Sequence, residues 1–120
     1  MSRALEGIRV LEIADRSAAL AGRILADLGA EVILVEPEEG SKLRHEAPFL
    51  NDTPGLESSF GHLYLNTNKQ SVVLDLDDPA QREQFRALLA TADVLLETLP
   101  PGWLEEPHIQ RPFTGPRYCA

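Results

Sequence analysis

The chain has 120 residues, 43% hydrophobic and 25% charged, which suits one soluble globular domain and is too short for two. A net charge of −8, with eleven scattered Lys and Arg, argues against a duplex nucleic-acid binder, since phosphates demand clustered cations. The opening MSRALEGIRV has no apolar signal core and no run approaches about 18 apolar residues, so neither export nor a membrane span is expected.

Gly7 leads into a β-branched apolar run, and residues 8–13 are predicted as the first strand. Leu20, Ala21, Ile24, Leu25 and Leu28 then recur at helical spacing, with Gly29 where a left-handed C-terminal cap belongs. Residues 31–36 form a second strand closed by Pro37, which completes a βαβ unit with parallel strands. Residues 38–57 carry Gly40, Pro48, Pro54 and Gly55 and read as a long functional or mobile loop. A short helix over 58–64 leads to the Asn66-Thr67-Asn68 turn, and residues 71–76 are the third strand. Asp78, Pro79 and Gln81 spell an N-cap, a first helical position and a capping box. Phe85, Leu88, Leu89 and Ala92 are the buried stripe of that helix, residues 93–97 the fourth strand, and Pro100-Pro101-Gly102 ends regular structure. Beyond Gly102 no element is predicted. The order indicates an α/β fold, a parallel sheet flanked by helices, that stops in mid-fold.

Ligands of open parallel sheets bind outside the carboxyl ends of the strands. After the first strand, ADRSAALAG offers no glycine before Gly22, so an ordinary dinucleotide site is rejected, and Glu36 reads as a solvated strand end. VVLDLDDP resembles a phosphoacceptor site, but Asp15 is the lone acid after the first strand and no Lys follows Lys69. His45, His62 and His108 lack metal-ligand spacing and read as exposed or locally bonded imidazoles. Cys119, the single cysteine, reads as an incidental tail thiol and points to a reducing, cytoplasmic setting. Asp75, Asp77 and Asp78 read as a solvated turn and helix cap. Lys42, Arg44 and Lys69 are the best cationic candidates for a phosphate-bearing ligand, each with the alternative of a plain surface charge.

GIRVLEIA, LADLGAEVILVEP, Arg44 ahead of Pro48-Phe49, LNTNKQSVVLDL and ADVLLETLPPG occur in that order from about residue 5 to residue 104. Together they resemble the N-terminal part of the class III CoA-transferases (CaiB/BaiF), a family that also holds the α-methylacyl-CoA racemases. The resemblance implies that residues 1–104 are a Rossmann-like CoA-binding segment of an incomplete large domain. Residues 105–120 would be an irregular tail or the start of a missing remainder. It implies an interlocked homodimer, coenzyme A or acyl-CoA as substrate rather than a resident cofactor, and a carboxylic acid as second substrate. An Asp further along the chain would attack the thioester, which is nucleophilic catalysis. No residue here matches that Asp, so no catalytic residue is assigned and this chain alone is expected to be inactive.

Carried over by position, the CoA-binding residues are Asp15 and Arg16 after the first strand and Leu74, Asp75, Leu76 and Asp77 after the third. Thr98, Leu99 and Pro100 follow the fourth, and Lys69 matches the Asn-x-Asn-Lys lysine. Lys42 and Arg44 are added as candidate phosphate contacts; no metal is expected. The chain departs from the family pattern at Ser17-Ala18-Ala19, Pro37, Gln70, Thr98 and Glu106, which weakens several contacts to CoA. Two alternatives stay open: the racemase branch, and a non-enzymatic CoA-binding or dimerisation module.

Overall fold

The computed structural model describes residues 2–101 and Trp103, together with the backbone of Arg117–Cys119. Expectations for Gly102, Glu106 and His108, and for the Cys119 side chain, lie outside the described residues. The strands are β1 (Arg9–Ile13), β2 (Glu31–Glu36), β3 (Gln70–Val73), β4 (Val94–Glu97) and β5 (Arg117–Cys119), and the helices α1 (Arg16–Asp27), α2 (Phe60–Leu65) and α3 (Pro79–Ala90). Every pairing among these strands is parallel, in the order β3-β2-β1-β4-β5. The predicted α/β architecture therefore stands. β5 pairs with β4 in the stretch where the sequence shows no periodicity; three residues are too few to carry an alternating pattern.

Each face of the sheet has its own core. Val10, Val32 and Leu96 pack with Ala26 and Ala30 on the side of α1. Leu11, Ile33, Val35 and Leu95 pack with Phe85, Leu89 and Ala92 on the side of α3. Phe85 is fully buried, which stabilises the fold by roughly 1.5–3 kcal/mol relative to leaving that ring in water.

The predicted caps at Gly29 and Asp78 are present, the capping box is not, and Asp15 adds a cap the sequence reading did not name. Asp15 caps α1 by accepting from the Ser17 backbone N–H at 2.9 Å, and Gly29 takes φ +108° just past its end. Asp78 caps α3 through the Ala80 N–H at 3.0 Å. Gln81 does not close a capping box: its carbonyl oxygen instead accepts from the Asp75 N–H at 2.7 Å. That bond, and a turn in which Asp75 Oδ1 accepts from the Asp77 N–H at 2.9 Å, end β3 at Val73 rather than at Leu76.

The buried face of α1 consists of the small residues Ala19, Gly22 and Ala26, whereas Leu20, Ile24 and Leu28 stay about half exposed at 48%, 50% and 46%. Small side chains let α1 sit close on the sheet. A Cβ on Gly22 would lie 1.7 Å from Glu12 Oε1, so the contact requires glycine.

Candidate functional site

Successive crossovers run from β1 through β2 to β3, and the chain then returns to the far side of β1 to place β4. The switch in direction lies between β1 and β4, where doubly wound sheets open a crevice at their carboxyl ends. The two loops flanking it are joined: the Asp15 N–H donates to Thr98 Oγ1 at 3.0 Å and the Thr98 N–H to Ile13 O at 3.1 Å. Asp15 and Arg16 thus lie beside Thr98, Leu99 and Pro100. Hydrogen bonds from the Ser17 side chain and backbone hold the Asp15 carboxyl below its ordinary range, and the charge of Lys42 adds to the effect. Lys42 is exposed and makes no ion pair among the described residues, so its ammonium is free for an anion. Arg16 is exposed but held by Glu46 at 2.8 Å.

Leu74 to Asp77 lie elsewhere. They follow β3, three strands from β4, roughly 14 Å away at the usual strand spacing. Leu74 is buried in the core beneath α3, and Leu76 and Leu99 pack against that core, so these side chains face inward. Asp75 and Asp77 are exposed and shape the turn into α3.

Two of the cationic candidates are spent inside the fold. The Lys69 side chain is 1% exposed. Its ammonium lies 2.8 Å from Glu12 Oε1 and donates to Glu12 Oε2, Ala19 O and Asn66 Oδ1 at 2.9, 2.9 and 2.8 Å. All three donors are committed within the fold, where Lys69 pins the Asn66-to-Lys69 turn to β1 and α1. Burial raises the pKa of Glu12 and lowers that of Lys69, each against the pull of its partner.

Arg44 is committed likewise. It grips Glu36 with two parallel bonds of 2.6 and 2.9 Å, and its third nitrogen donates to Leu56 O at 2.7 Å and Glu57 Oε1 at 2.9 Å. Glu36, expected to be a solvated strand end, is 2% exposed and also accepts from the Ser41 N–H and Ser71 Oγ. Burial pushes its carboxyl upward, but the bonds from Arg44, Ser71 and Ser41 outweigh that and bring the pKa to about 2. The 38–57 loop is therefore tied to the sheet. Beside it lies an open cavity of about 490 Å³ lined by Arg44, His45, Phe49, Pro54, Gly55 and Leu56, none of which follows β1 or β4.

Glu12 and Asn66 were missed as partners in this polar layer. Glu12 did leave a signal: an acid between Leu11 and Ile13 in a central strand must be buried, and a buried acid requires a cation. His45 bonds Glu39 O, as a locally satisfied imidazole should. Among the described residues, no group of three or more His, Cys, Asp and Glu is placed to hold a metal ion.

Residues 5–112 match the profile of CoA-transferase family III. The chain belongs to that family. It is 35% identical over 105 residues to a succinyl-CoA:(R)-benzylsuccinate CoA-transferase subunit of Thauera aromatica, covering 88% of this chain and 26% of that one. It is 41% identical over 106 residues to a probable fatty acyl-CoA transferase of Mycobacterium tuberculosis, with 88% and 26% covered. A crystal structure of that mycobacterial protein superposes with a TM-score of 0.74 at 39% identity, covering 87% of this chain and 27% of the other. A CaiB/BaiF family protein of Brucella suis gives 0.76 at 34% identity, covering 88% and 28%. The chain spans about a quarter of the length of the curated relatives it matches. No helix among the described residues is long and apolar enough to cross a membrane.

Proposed function

We propose that this chain is the CoA-binding face of a class III CoA-transferase, whose whole activity moves CoA from an acyl-CoA to a carboxylic acid. The observation that carries the reading is the junction of Asp15 and Thr98 at the point where the strand order reverses. There the backbone after β1 and β4 can meet an extended ligand, while Lys42 offers a free cation to its phosphates. Arg16, Leu99 and Pro100 border the same crevice, and Asp75 and Asp77 would meet the ligand's far end. Lys69 and Arg44 shape the site from beneath without touching the ligand. The nucleophile is none of these residues. In this reading the protein works in the cytoplasm as a homodimer.

Calorimetry with CoA, followed by an acyl-transfer assay, tests the proposal. Binding that Lys42→Ala weakens, without turnover, is the expected result. Absence of binding at millimolar CoA, or transfer activity in the 120-residue chain, would contradict it.

A further inference from the structure

The α1 side of the sheet carries a chain of polar contacts that ligand binding does not call upon. Lys69 donates to one end of the Asn66 amide at 2.8 Å, and the other end lies 3.0 Å from His62 Nδ1. An ammonium can only donate, so the atom it meets must be the amide oxygen, and the atom facing His62 must be the NH₂. Nδ1 is then an acceptor and the ring proton sits on Nε2. His62 is only 8% exposed, and its backbone is pinned at both ends, by Ser59 Oγ at 3.4 Å and by the Asn66 N–H at 2.9 Å.

We propose that Lys69, Asn66 and His62 form an acid-sensitive latch, in which the ammonium fixes the amide, the amide fixes the imidazole as its Nε2–H tautomer, and protonation of His62 breaks the bond between ring and amide. A proton on Nδ1 would point at the amide NH₂. The amide can escape only by turning over, and that would aim its NH₂ at the Lys69 ammonium. Neither arrangement keeps both bonds.

The charged groups around the ring are Arg44 after β2, Glu36 at the end of β2, Glu57 ahead of α2 and Lys69 ahead of β3. Burial lowers the pKa of His62 first; the two cations lower it further, and the two carboxylates oppose them. With the folded pKa below the unfolded one, the native contacts are complete above about pH 6.5 and are lost as pH falls through the folded value.

Long-range ¹H–¹⁵N NMR of the imidazole in the full chain reads the tautomer directly. The native ring should be neutral and protonated on Nε2 at pH 7, with a midpoint below about 6.5. Asn66→Asp keeps an acceptor for Lys69 and turns a second one toward Nδ1. It should move the proton to Nδ1 and raise the midpoint by about one pH unit, a tenfold gain in proton affinity. An Nδ1–H tautomer in the native chain overturns the latch, as does an Asn66→Asp midpoint no higher than the native one. Should Asn66→Asp fail to fold, the native tautomer alone decides.

Discussion

Replacing Lys69 with Met removes the cation from a buried pair and leaves the Glu12 carboxylate, 0% exposed, without a counter-charge. Stranding a buried charge in this way costs about 3–5 kcal/mol. The acceptors Ala19 O and Asn66 Oδ1 each lose a donor as well, at about 1 kcal/mol apiece. Glu12 can hold the total to about 3–5 kcal/mol by taking up a proton, since burial already raises its pKa. Against a typical total stability of about 5–15 kcal/mol, the variant sits at the edge of folding. With a urea slope of about 1.5 kcal/mol/M, the unfolding midpoint should drop by about 2–3 M. The double variant Glu12→Leu, Lys69→Met removes both charges and should recover most of that loss, because an apolar pair of similar volume replaces a buried ion pair at little cost. Urea unfolding of the native chain, the single variant and the double variant, followed by circular dichroism, makes the comparison. A single-variant loss under about 1 kcal/mol, the scale of an exposed pair, would refute the reasoning. So would a double variant no more stable than the single one.

Glu36 should contribute to acid sensitivity. Its folded pKa of about 2 lies below the ordinary 4.5, so its stabilisation is complete above pH 4.5 and is lost as pH falls toward 2. At 1.36 kcal/mol per pH unit this is about 3 kcal/mol, and acid titration of Glu36→Gln should show a correspondingly shallower decline. Gly22→Ala drives a methyl to within 1.7 Å of Glu12 Oε1 and should cost about 1–3 kcal/mol in thermal unfolding, far more than an exposed helical Gly→Ala change, which stabilises. Phe85→Ala opens a cavity beneath α3 and should lose about 3–5 kcal/mol in the same assay.

What the sequence made legible was local. The β-branched runs of β1 and β2, the Gly29 cap and the Asp78-Pro79 start of α3 depend on neighbours a few residues away, and each lies where the pattern places it. What it concealed was pairing across the fold. Glu36 looks like a solvated acid until Arg44 and Ser71 are seen to close on it, from eight and thirty-five positions away. Lys69 looks like a ligand cation until Glu12, fifty-seven positions earlier, is found beneath it. In α1 the apolar residues drew attention to Leu20, Ile24 and Leu28, yet the sheet takes the face built from Ala19, Gly22 and Ala26, because close approach there depends on small volume rather than hydrophobicity. The candidate site was legible where it follows from topology alone, at Asp15 and Thr98. It was not legible at the cations, whose partners decide whether their charge is available.

Amide NMR shifts recorded during a CoA titration would put the central claim to its sharpest test. The account predicts that the shifts gather at Asp15, Arg16, Lys42 and Thr98, with a weaker set at Asp75 and Asp77. Shifts gathered instead around the cavity at Phe49 and Leu56, or at the amino ends of the strands, would contradict it.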